Sequence, residues 1–181
     1  LHPCTRATRY SVRANWTASL YTCSTLRPLR STFSQYHADV AMNDDGFVVV
    51  WASAAGQDGS LQGVFGQRSD AKGAAAGDEF QVNTYTTGYQ RAARVAMHPD
   101  GRFVVVWESY GFVGEHAGIS AQRYDPQGQP VGGEFQVNTD TTGIHRVPAV
   151  AMGQAGDFAV VWQGTASGSF NRVYARLFTL S

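Results

Sequence analysis

Lysine is almost absent from this chain, which holds only Lys72 beside thirteen arginines. Charged residues make up 15% of the 181 positions, against roughly 25% in an ordinary soluble domain. Bases and acids number 14 each, so the formal net charge is zero. That balance excludes a globally basic nucleic-acid binder and a polyacid. No apolar run approaches the roughly 18 residues of a membrane-spanning helix. No window carries a convincing helical period, which excludes a helix bundle. Gly-x-Ser-x-Gly, His-Glu-x-x-His, Gly-x-Gly-x-x-Gly and P-loop motifs are all missing. The five histidines (His2, His37, His98, His116, His145) occupy unlike positions, with Glu115-His116 in a loop of its own. Only two cysteines occur, Cys4 and Cys23. They match no zinc spacing, and His2 is the only further ligand nearby. In an exported protein they would suffice for one disulfide. What remains is 43% apolar and 12% aromatic, ample for one core in a chain of this size.

Composition breaks sharply near residue 35. Residues 1–34 have no glycine and no acid, but five arginines (Arg6, Arg9, Arg13, Arg27, Arg30) and eleven Ser or Thr. From residue 35 onward nine bases face fourteen acids, so the neutral total joins two unlike pieces. This arm has no apolar h-region and is not a secretory signal peptide. Its composition suits either a poorly ordered extension or an organellar transit peptide, and the first is expected. A chain that begins with Leu1 reads as processed or as a fragment.

The body repeats itself. Phe80-Gln-Val-Asn-Thr84 recurs as Phe135-Gln-Val-Asn-Thr139, and Thr86-Thr-Gly88 as Thr141-Thr-Gly143, each 55 residues on. Val40-Ala-Met42 returns as Val95-Ala-Met97 and Val150-Ala-Met152. Three apolar runs close on Trp51, Trp107 and Trp162, and Arg68, Arg123 and Arg176 follow at matching places. Asp-Gly pairs after Val-Ala-Met mark hairpins, because glycine accepts the positive φ of such turns. The next run, Phe47-Val-Val-Val-Trp51, is β-branched and apolar on both faces, as a strand covered on both sides should be.

Each unit therefore reads as four short antiparallel strands, and the fold class as an all-β, propeller-like array of about three blades. The units are 35–89, 90–144 and an incomplete 145–181, which stops before any Glu-Phe-Gln-Val-Asn strand. A closed propeller typically needs 4–8 blades. The body is thus expected either to belong to a longer array or to self-associate into a ring.

The strings Glu-Phe-Gln-Val-Asn-Thr, Thr-Thr-Gly, Val-Ala-Met, Asp-Gly-x-Phe-Val-Val-Val-Trp and Ala-Gln-Arg-Tyr-Asp resemble tandem repeats of large secreted or surface-anchored bacterial proteins. Such repeats often accompany haemolysin-type calcium-binding or cadherin-like modules. The resemblance covers residues 36–178. It implies an extracellular, propeller-like bacterial repeat and brings no defined activity. Where that family often shows Asp-x-Asp-Gly-Asp, this chain keeps only Asp45-Gly46, Asp100-Gly101 and Gly156-Asp157.

Two binding chemistries compete with plain structural roles. Calcium wants 6–8 oxygen ligands, for which Asp44, Asp45, Asp100 and Asp157 are the candidates; ordinary hairpin turns explain them as well. Trp51, Trp107 and Trp162 with Arg68, Arg123 and Arg176 offer flat apolar faces and planar donors for a sugar. Each Trp ends a fully apolar strand, so packing between sheets is its expected role, with Arg satisfying buried carbonyls. The expectation is a non-catalytic, extracellular structural or adhesive module without a cofactor, whose partners are surface glycans or like repeats. The alternatives are a carbohydrate-binding propeller and an enzyme whose site is dispersed over several blades.

Overall fold

The computed structural model describes residues 5–11, 17–22, 34–54, 56–111, 117–165 and 170–179. Strands β1 (Thr5–Ser11) and β2 (Thr17–Thr22) pair only with each other. Both strands lie within residues 1–34. Cys4, Cys23, His2 and the Glu115-His116 pair lie outside the described residues.

The body is all-β, antiparallel and propeller-like, as the repeats imply. The first blade holds β3 (Gln35–Met42), β4 (Gly46–Ala54), β5 (Gln62–Asp70) and the short β6 (Phe80–Gln81). The second holds β7 (Gln90–Met97), β8 (Phe103–Tyr110), β9 (Ala117–Tyr124) and β10 (Pro130–Gln136). The third holds β11 (His145–Met152), β12 (Phe158–Thr165) and β13 (Asn171–Phe178), with no fourth strand among the described residues. Sequence neighbours pair throughout, and the first strands β3, β7 and β11 lie side by side.

Period-two alternation sorts the apolar residues between blades. Val48, Val50 and Val64 of the first blade meet Val105, Phe103 and Trp107 of the second. Val104, Val106 and Ile119 of the second meet Phe158, Val160 and Trp162 of the third in the same way. This is why each Phe-Val-Val-Val-Trp run is apolar at every position. In blade two both faces of β8 are buried. In blade three one face of β12 stays open, with Val161 40% exposed.

The recurring Gln-Val-Asn now has a cause. Val82 N–H donates to Val64 O at 2.8 Å, and Val137 N–H to Ile119 O at 2.7 Å. Asn83 Oδ1 then accepts from Val64 N–H at 2.7 Å, and Asn138 Oδ1 from Ile119 N–H at 2.8 Å. The asparagine continues the ladder two residues past the strand with its side chain. Buried at 2% and 3% exposure, it satisfies a donor that would otherwise cost about 1–3 kcal/mol.

Polar side chains reach from one blade to the backbone of the next. Asn43 Nδ2 donates to Pro99 O at 2.9 Å, and one repeat later His98 Nε2 contacts Gln154 O at 2.8 Å. Asp39 accepts from Val95 N–H at 3.0 Å, and Arg68 donates to Pro126 O at 2.6 Å and to Gln127 O. The His98 contact is pH-dependent. The Gln154 carbonyl and then the Asp100 carboxylate, 2.8 Å from Nδ1, raise the His98 pKa above its ordinary value. Its contribution is therefore complete below the ordinary histidine value of about 6.5 and fades as pH rises through the raised one. Asp100 behaves oppositely. The Arg102 backbone N–H, with His98 and the Arg102 side chain, holds it at about 2. That contribution is present above the ordinary carboxylate range and fades as pH falls towards 2. Melting temperature should accordingly decline slightly from pH 6 to 8 in the parent chain. In His98→Gln that decline should be absent, and an unchanged slope would refute the assignment.

Candidate functional site

At the same place in β3, β7 and β11 the backbone turns left-handed on residues that are not glycine. His37, Ala92 and Val147 have φ of 55°, 52° and 54°. Each marks a break in register with the second strand: between Tyr36 and Asp39, Arg91 and Arg94, and Arg146 and Ala149. Such conformations cost roughly 1–3 kcal/mol each, and such strain concentrates where a fold serves a ligand. A β-branched valine there is the costliest of the three.

The polar residues of this chain gather around these bulges. Glu108, 4% exposed, follows Trp107 on β8, where the other blades have Ala52 and Gln163. Its Oε2 accepts from Arg91 Nε at 3.0 Å, and its Oε1 from the strained Val147 N–H at 2.8 Å. Arg91 also donates to the Tyr110 hydroxyl at 2.8 Å. Burial works against the Arg91 charge, but the Glu108 and Tyr110 oxygens outweigh it and its pKa rises. Tyr36, in the first blade, has a buried hydroxyl without a partner among the described residues. Burial raises the Tyr36 pKa, nearby Arg91 lowers it, and Tyr89 adds to the rise. Three blades thus contribute to one constellation: Tyr36, then Arg91, Glu108 and Tyr110, then Val147. Asp39 is the only carboxylate on β3, β7 and β11, and Glu108 the only one on β4, β8 and β12.

The residues singled out from sequence lie elsewhere. Trp51, Trp107 and Trp162 are buried, at 9%, 0% and 6% exposure. The Trp162 indole N–H donates to His145 Nδ1 at 3.2 Å. Arg68 spends its guanidinium on the Pro126 and Gln127 carbonyls. Arg123 lines a cavity of about 240 Å³ with Phe135, Phe158, Phe178 and Thr179. Arg176 is out of step with the other two. Arg68 faces Val48 and Arg123 faces Val104, whereas Ala159, the third-blade counterpart, faces Leu177. One residue of slip puts Arg176 on the opposite face, where it donates to Val137 O at 2.8 Å. Asp44, Asp45, Asp100 and Asp157 sit on three separate hairpins. Asp100 is engaged by Arg102 at 2.8 Å. Among the described residues no group of three His, Cys, Asp or Glu is placed to hold a metal ion.

Sequence reasoning missed Tyr36, Asp39, Arg91, Glu108 and Tyr110. A usable signal was present: they break the repeat. Positions 36, 91 and 146 read Tyr, Arg, Arg; positions 39, 94 and 149 read Asp, Arg, Ala; positions 52, 108 and 163 read Ala, Glu, Gln.

No family model and no curated protein matches the chain. Solved structures do. An endo-arabinase from Bacteroides thetaiotaomicron VPI-5482 superposes with a TM-score of 0.51 at 12% identity, over 89% of this chain and 62% of that one. A thermostable family-43 glycoside hydrolase gives 0.52 at 11% identity, over 91% of this chain and 60% of that one. The chain therefore spans about three fifths of the length of these neighbours, and the likeness is one of fold. Both neighbours are enzymes by name. Their likeness overturns the expectation of a non-catalytic structural or adhesive module, and the alternative of an enzyme with a dispersed site fits better.

Proposed function

We propose that this chain belongs to a carbohydrate-cleaving enzyme, with its site at the left-handed bulges of the first strands. One observation carries the reading. A chain that shares the fold of two glycoside-cleaving enzymes over about nine tenths of its length holds just two carboxylates on its six inner strands, Asp39 and Glu108. Glycoside hydrolysis commonly needs two: one protonates the leaving oxygen, and the other activates water or attacks the anomeric carbon. Glu108 has a guanidinium on one oxygen and a backbone N–H on the other, and takes the base or nucleophile role. Asp39, whose Oδ2 accepts from Val95 N–H, is assigned the role of the acid. Tyr36 and Tyr110 supply aromatic surface and hydroxyls to a sugar ring. A polysaccharide substrate agrees with the extracellular placement implied by the repeat resemblance.

Release of reducing sugar from arabinan and a panel of other polysaccharides tests this. Glu108→Gln and Asp39→Asn should each lower kcat by about 10²–10⁴ while circular dichroism stays that of the parent. No hydrolysis by the parent, or full activity in Glu108→Gln, would overturn the reading.

A further inference from the structure

The body is acidic, yet its inner strands are not. Residues 35–181 carry nine bases and fourteen acids. On β3, β4, β7, β8, β11 and β12 the balance reverses, with Arg91, Arg94 and Arg146 against Asp39 and Glu108. Charge of one sign gathered on a lined surface draws ligands of the other sign. The Arg91 charge is taken up by Glu108 at 3.0 Å. Arg146, one repeat on, faces the neutral Gln163 across the same pair of strands.

Arg94 has no such partner. It faces Val106 just past the bulge at Ala92, as Arg91 faces Glu108 just before it. Residues opposite each other on paired strands share a face, and so do alternate residues of one strand. Val104 and Val106 pack towards blade three, so Arg94 lies on that face, next along the sheet from Glu108. Asp39 holds the equivalent place in blade one, opposite Val50, and accepts from the N–H of Val95, the residue after Arg94. Arg94 thus stands between the two carboxylates. A guanidinium has no acceptor atom, so it cannot repeat the bond that Asp39 makes to the next blade. Instead Arg94 Nη1 donates to Ala93 O at 2.7 Å, the carbonyl of the preceding residue. Among the described residues it forms no ion pair, although it is half-buried. A charge drawn partly out of water without a counter-ion costs free energy, which an anion arriving from outside recovers.

We propose that Arg94 recognises a carboxylate on the bound sugar, so that the substrate is a polysaccharide containing uronic acids. The planar fork of a guanidinium matches the two oxygens of a carboxylate and holds them in one orientation. This inference rests on the carbohydrate reading, which puts the sugar beside Asp39 and Glu108.

The probes are oligomers of galacturonate and of mannuronate, each beside its carboxyl-reduced form, titrated into the intact chain by calorimetry. At least one acidic oligomer should bind with Kd below about 1 mM and about tenfold or more tighter than its reduced form, the size of one charged hydrogen bond. That preference should weaken as salt is added. Arg94→Gln should bring the ratio between acidic and reduced oligomers close to one. Arg94→Lys, which keeps the charge and loses the fork, is the second variant and should fall between. Both are compared by circular dichroism with the parent. A parent that binds acidic and reduced oligomers alike, or binds neither, overturns the proposal, as does a preference that survives in both variants. Release of reducing sugar from the same pairs of polymers separates this inference from the hydrolytic reading. Cleavage without preference for the acidic form removes the carboxylate recognition alone. An Arg94-dependent preference without cleavage removes the hydrolytic role alone.

Discussion

Trp107→Ala should cost about 3–5 kcal/mol, the range for deleting a large buried aromatic. The indole is fully enclosed between Val48, Val50 and Val64 of one blade and Val105 and Phe103 of its own. Urea unfolding measures the loss directly. A change below about 1 kcal/mol, of the size expected at the surface, would mean that the blades do not pack through this residue. A tryptophan serving as a sugar platform would give the reverse pattern, with stability kept and binding lost.

Gly143→Ala is the second large effect. Gly143 has φ of +81°, and a Cβ there would lie 1.7 Å from the Thr165 carbonyl oxygen. That oxygen belongs to the residue whose N–H bonds Ile144 O at 3.0 Å and whose hydroxyl accepts from Ile144 N–H at 3.1 Å. Alanine therefore adds a left-handed penalty of roughly 1–2 kcal/mol to a disrupted strand end worth about 1–2 more. Together these should lower the melting temperature by roughly 4–16 °C for a domain of this size. Gly73→Ala separates the two causes, because Gly73 has φ of +83° with nothing within 4 Å of an added Cβ. It should show the backbone penalty alone. Equal losses at the two positions would remove the steric argument.

The same comparison explains how much was legible in the sequence. Thr86-Thr-Gly88 and Thr141-Thr-Gly143 stood out as a motif because Gly88 meets Tyr110 O as Gly143 meets Thr165 O. Strand order, blade number and the buried Phe-Val-Val-Val-Trp runs followed from periodicity, since each repeat must bury the same faces. The bulges did not. His37, Ala92 and Val147 carry none of the glycine or asparagine that advertises a positive φ, and their conformation is imposed by the surrounding sheet. The candidate site was hidden for a related reason. Repeats draw the eye to what recurs, whereas Asp39 and Glu108 have no counterpart 55 residues away. Arg176 shows the reverse: its spacing matches Arg123, but a shift of one residue places it on the opposite face.

Five of the grips between blades end on main chain. Asp39 takes an amide, Asn43, Arg68 and His98 take carbonyls, and Glu108 takes an amide. Each of these reaches forward, onto the repeat that follows. Main-chain groups are the same whatever residue occupies the receiving position. The receiving blade can therefore drift in sequence without releasing the hold, and a copied blade inserted into the series arrives already fitted to its predecessor. Lengthening by gene duplication needs no matching change in the older unit, whereas losing one gripping side chain loosens a single joint and leaves the others intact.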